Sequence, residues 1–188
     1  MKIIRITAAS LCMAACIATG LILSIHLLAS PAVQEVDPQE ASDLAALARI
    51  EPIDTHAHVF VDSPAYYRMM KDLNLRIVDI CVYSTRNEPP DRTQAAQFRE
   101  TMMVRRGSHG RAGVCTTFNP YTFEDKNFAR NAINILNFNF RAGAIAVKIW
   151  KNIGMGIRSK SGEYLMPDNP VFTPIFAAIQ KAGKTLIA

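Results

Sequence analysis

Residues 51–60 read EPIDTHAHVF, a short apolar run that ends in two histidines one residue apart. The chain has only four histidines, so half of them fall in this stretch. An extended strand sends alternate side chains to the same face, which points His56 and His58 one way and Ala57 the other. Two imidazoles that close on one face can bind the same metal ion. Solvated or hydrogen-bonded loop histidines would show the same ten residues, so the surrounding elements decide the matter.

Those elements alternate. After PIDTHAH come four more apolar or β-branched runs: LRIVDICVYS, RAGVCTTFN, AGAIAVKIW and GKTLIA. Helix-like stretches separate them, at about 63–74, 92–106, 124–140 and 170–183. Asp168 and Asn169 are cap candidates for the last helix, Pro170 suits its first turn, and Gly183 ends it. Strands that are apolar through most of their length and alternate with helices predict a parallel sheet covered by helices. No GxGxxG follows the first strand, and the lone GMG at 154–156 reads as a turn. A (β/α) barrel fits better, because its chemistry sits at the C-terminal ends of strands, where His56 and His58 fall. A complete eight-fold barrel takes about 250 residues. The predicted fold is therefore α/β, a partial (β/α)8 TIM-type barrel of about five βα units that stops inside strand five, over residues 51–188.

Ahead of the barrel the composition changes. Residues 6–34 carry no charged side chain, and Lys2 and Arg5 precede them. A basic start and a long apolar run read as a signal peptide or a transmembrane signal-anchor helix over 1–30, followed by a polar linker over 31–50. The run approaches the ~20 residues that span a bilayer, which favours the anchor over cleavage near LLASPAV. Basic residues before the run place the main domain outside, so the chain is expected to be exported, either membrane-anchored or periplasmic or extracellular. Of the net charge of +5, residues 1–30 supply two units, leaving 19 basic against 16 acidic side chains. That balance and the lack of a long basic run argue against a nucleic-acid partner. Cys12 and Cys16 lie in the apolar segment, and Cys81 and Cys115 lie in predicted strands, where free buried thiols are expected.

The fourth strand ends in VKIWKN. A lysine inside an apolar strand is unexpected, because an unpaired buried ammonium is costly. Either its stem packs while its head reaches water, or the site lowers its pKa and uses the amine. A neutral amine can take up carbon dioxide to form a carbamate, whose two oxygens can bridge metal ions.

With DTHAH and Lys148 in view, the chain resembles the amidohydrolase superfamily of metal-dependent hydrolases over roughly residues 50–188. DTHAH is similar to that superfamily's strand-one His-x-His motif. Lys148 is similar to its strand-four lysine, carboxylated in many binuclear members, and Lys151 is the runner-up on the opposite strand face. The resemblance implies His56, His58 and Lys148 as metal ligands, with Lys148 also catalytic. It implies one or two divalent ions, Zn²⁺ foremost, and metal-activated water attacking an amide or ester bond of a small-molecule substrate. Members of the superfamily supply further ligands, histidines ending strands five and six and an aspartate ending strand eight, that have no counterpart in these 188 residues. Weak metal binding and little turnover are thus expected of this chain alone.

Arg86 and Asn87 after strand two, and Asn119 after strand three, stand on the side where substrate would lie; Arg86, Asn119 and Lys151 are candidate contacts. Asp54 is expected to hydrogen-bond locally. His109, in RRGSHGRAG, falls at the opposite end of the barrel and reads as a surface histidine. Trp150 and Tyr164 are candidates to line a pocket, with packing the default for aromatic residues near a sheet. Two other functions compete. TatD-type metal-dependent deoxyribonucleases share the DTHxH opening, but place a glutamate near the fourth strand where this chain has Lys148. A non-catalytic fragment would pair with other chains, or with itself, through exposed strand edges.

Overall fold

The computed structural model describes residues 37–188, apart from 84 and 88. The apolar run at 6–34, and with it the expected anchor, lies outside the described residues. Among those described, no helix is long and apolar enough to cross a membrane. The chain divides into two units, Met1–Ala41 and Ser42–Ala188. Of the first, residues 37–41 open helix α1 (Pro38–Arg49), where the Asp37 carboxylate accepts from the Gln39 amide at 2.8 Å. The second unit carries everything below.

Among the described residues it alternates five strands with four longer helices: β1 (Ile53–Ala57), α2 (Pro64–Asp72), β2 (Arg76–Ile80), α3 (Gln94–Gly107), β3 (Ala112–Thr116), α4 (Phe128–Ala142), β4 (Ala146–Lys148), α5 (Thr173–Lys181) and β5 (Thr185–Ile187), with a short kinked helical segment, Asn152–Met155, after β4. Each expected strand is present but shorter. β4 keeps three of nine expected residues, and two of the six lost belong to the end of α4. There Gly143 takes φ +118°, a conformation that side-chain-bearing residues avoid, and closes the helix through bonds to the Asn139 and Phe140 carbonyls. Helix starts follow local chemistry. Ser63 and Thr93 accept from the amides of Tyr66 and Ala96, and Asn169 accepts from Val171 in the turn that leads into α5. Gly183, at φ +63°, follows α5 as expected.

All strand pairs are parallel, and the sheet order is β1-β2-β3-β4-β5. Parallel crossovers are right-handed. When each one steps to the next position in the same direction, every helix falls on one face and the sheet curls away from it. A doubly wound sheet reverses direction and places helices on both faces. The result here is a curled, half-barrel sheet, which agrees with the expected partial barrel.

Side-chain parity follows. Ala57, Ile77, Val104, Ala112 and Met70 pack together on the helix side. Val114 joins Phe98 and Cys81, and Val147 joins the largest cluster, with Phe118, Phe128, Leu136, Phe172 and Ile175. The alternate residues Val78, Ile80, Cys115 and Ala146 form a separate cluster with Trp150 and Ile187. This second set lines the concave face. Cys81 and Cys115 are free, buried thiols, as expected, and burial pushes both up to about 12.

Candidate functional site

Alternation with Ala57 and Val147 assigns His56, His58 and Lys148 to the concave face, at the C-terminal ends of β1 and β4. The alternation in β1 is not regular. Asp54 pairs with Ile77 and Ala57 with Asp79, so three steps of β1 match two of β2. This bulge falls at Thr55 and His56, and such bulges re-aim side chains. The His56 amide bonds the Asp54 carboxylate at 2.8 Å, the local role expected of that residue. The two imidazole rings meet edge to face with centroids 5.1 Å apart.

His58 is oriented by β2. Its Nδ1 lies 2.8 Å from the Ile80 carbonyl oxygen. A carbonyl only accepts, so Nδ1 carries the hydrogen and the neutral ring keeps its lone pair on Nε2. A carbonyl behind one ring nitrogen is the support that metal-bound histidines ordinarily have.

Trp150 joins the two halves of the site. Its Nε1 donates to the Cys81 carbonyl at 3.1 Å, reaching from the end of β4 past β3 to the end of β2. The indole centroid stands 5.7 Å from the ring of His58 and 6.2 Å from that of His56. The Lys148 ammonium lies 5.7 Å from the same centroid. Lys148 is 9% exposed, and its carbonyl accepts from Thr117 Oγ1 at 2.9 Å, which ties β4 to β3. Among the described residues no carboxylate pairs with its ammonium, the one ion pair being Lys160–Glu124. The same residues hold no group of three or more His, Cys, Asp or Glu fit to bind a metal, so a site here depends on the lysine as well as the two histidines.

The candidate substrate contacts follow β2, β3 and β4 on the same edge of the sheet. The Arg86 guanidinium sits 5.5 Å from the Tyr121 ring centre, and Asn119 Oδ1 accepts from the Tyr121 amide, so these two meet around Tyr121. Asn152 Nδ2 reaches both the Tyr121 hydroxyl, at 3.1 Å, and the Tyr83 carbonyl, at 3.0 Å. Lys151, next to Asn152 in the chain, is exposed. Tyr164 stacks on Arg158, 3.5 Å from the guanidinium carbon. Both belong to the strap that follows the GMG turn, in which Gly154 takes φ +93°.

Two residues acquire importance that the sequence reading did not assign. Trp150, a pocket-lining candidate for which packing was the default, is the shared wall of the site. Asp79, in the RIVDI run, is fully buried on the helix side of β2. One oxygen accepts from the Val59 amide at 2.8 Å, just past His58, and the other has no partner. Burial raises its carboxyl from 3.8 to about 7. An aspartate inside an apolar strand was the available signal, of the same kind as Lys148. Comparison with protein-family models, with curated proteins and with solved structures finds no match.

Proposed function

We propose that this chain serves a metal-dependent hydrolysis of the amidohydrolase type, on an amide or ester bond of a small molecule, with His56, His58 and Lys148 as metal ligands. The observation that carries the reading is the meeting of the His-x-His pair and an ion-pair-free, nearly buried lysine around one indole on the concave face. A divalent cation such as Zn²⁺ would supply Lewis-acid polarisation and acidification of water toward ~7.

The residues fit such an ion. His58 presents Nε2, with its tautomer set by the Ile80 carbonyl. His56 is held at the bulge through its amide and Asp54. Lys148 offers its amine, or two oxygens once the neutral amine nitrogen has bonded to the carbon of carbon dioxide and released a proton to solvent. Trp150 stands beside the lysine head, its ring centroid 5.7 Å from Nζ. Three donors are fewer than a complete relative would supply, in keeping with weak metal binding and little turnover by this chain alone.

Equilibrium dialysis of the full chain against Zn²⁺ tests the reading. Binding of one or two ions at micromolar or weaker affinity is expected, lost in His56→Ala and His58→Ala and reduced in Lys148→Ala. A ¹³C-bicarbonate NMR experiment should give a carbamate signal that Lys148→Ala removes. Zinc uptake that survives both histidine substitutions would defeat the assignment.

A further inference from the structure

The opposite edge of the sheet, where β2 and β3 begin, holds an open cavity of about 730 Å³. Its wall combines the last turns of α2 and α3 with the loops that lead into β2 and β3. Four cations line it, Arg68, Lys71, Arg76 and Arg111, together with His109 and Ser108, and no aspartate or glutamate is among the lining residues. Arg68, Lys71 and Arg76 are exposed, and none forms an ion pair among the described residues.

Cations at helix C-termini often serve the helix itself, by bonding the last carbonyls. Here backbone amides already do so. Leu73 and Asn74 close α2 onto Met69 and Lys71, while Ser108, His109 and Gly110 close α3 onto Val104, Arg106 and Arg105. Only Lys71 among the four lies in a last turn. Arg76 opens a strand, and Arg111 is steered by a bond from Nη1 to Asn74 Oδ1 at 3.1 Å. Four like charges thus converge without a counterion, an arrangement that a multiply charged anion relieves.

We propose that this cavity binds a small soluble organic phosphate, a phosphate monoester or diphosphate, held by Arg68, Lys71, Arg76 and Arg111. Guanidinium forks match phosphate oxygens two at a time. The volume falls in the range of small-molecule sites and exceeds what a lone phosphate fills. A polynucleotide would need a basic track along the surface, whereas these cations gather around one open cavity. The site lies at the far edge of the sheet from His56, His58 and Lys148, and it stands or falls independently of the hydrolase reading.

Isothermal titration of the full chain with pyrophosphate, and in parallel with inorganic phosphate at matched ionic strength, tests it. One saturable site is expected, with pyrophosphate the tighter ligand. Arg68→Ala, Lys71→Ala and Arg76→Ala should each weaken it about fivefold or more. All three side chains are exposed, so folding should survive, and unchanged circular dichroism of each variant verifies this. Arg130→Ala, an exposed arginine at the start of α4 and outside the cavity, should bind as the parent does. No saturable binding at millimolar pyrophosphate, or equal weakening by Arg130→Ala, overturns the proposal. A vesicle arm separates the sources of phosphate. If phosphatidic acid vesicles bind in a way that the Arg68, Lys71 and Arg76 substitutions abolish, while pyrophosphate does not bind, a lipid headgroup replaces the soluble ligand and the proposal fails.

Discussion

Asp79→Asn should abolish most of a pH dependence of stability that the parent chain shows between about pH 4 and pH 8. Asp79 is fully buried, one of its oxygens accepts from the Val59 amide, and the other has no partner. Burial raises its carboxyl from 3.8 to about 7. The folded state therefore holds the proton more tightly than the unfolded chain does. Stability from this group is complete below about 3.8, falls as pH rises through about 7, and is level beyond. Each tenfold of proton affinity is about 1.36 kcal/mol, so ionising Asp79 in place costs the fold roughly 4 kcal/mol. Asparagine keeps an acceptor for Val59 and never ionises. At pH 4 the variant should be less stable than its parent by roughly 1–3 kcal/mol, since the carboxylic acid leaves one donor unsatisfied there and the amide two. At pH 8 it should be the more stable. Urea unfolding followed by circular dichroism at half-unit steps measures both curves, and groups common to the two chains cancel in their difference. Parallel curves, or a variant less stable at pH 8, would show that the carboxylate is stabilised in place by something other than the Val59 amide.

Two substitutions test the frame that holds the site. Gln97 is buried, and its amide bonds Val82 N at 2.6 Å, Val82 O at 3.1 Å and Arg92 O at 2.6 Å, which fixes the chain just after β2. Gln97→Leu strands three backbone groups and should cost about 2–4 kcal/mol in thermal or urea unfolding; a cost below 1 would mean that water replaces those bonds freely. Gly143→Ala forces a side chain into φ +118° at the end of α4. It should lower stability by at least ~1 kcal/mol, whereas the same change at an unstrained glycine would raise it.

Much of the fold was legible because burial and turn chemistry are local. Asn169 and Gly183 mark the start and end of the last helical segment, and the two-residue spacing of His56 and His58 does put both rings together. What the pattern could not carry was the bulge. At the bulge the His56 amide donates to the Asp54 carboxylate, and any strand with an aspartate two residues earlier reads the same. Trp150 was legible only as an aromatic near a sheet, because its partner carbonyl is 69 residues away.

The amino-acid sequence alone determined which residues face helices, where chain direction changes, and that a lysine and two histidines end strands instead of filling them. Tertiary structure decided the rest: that strand order never reverses, that the sheet curls until β1 and β4 share one indole, and that four cations from separate segments surround one cavity. The physical reason is range. Periodicity and capping act over a few residues, whereas distances between groups far apart in the chain are set by the sense in which each crossover packs, and that is settled only when the whole sheet forms.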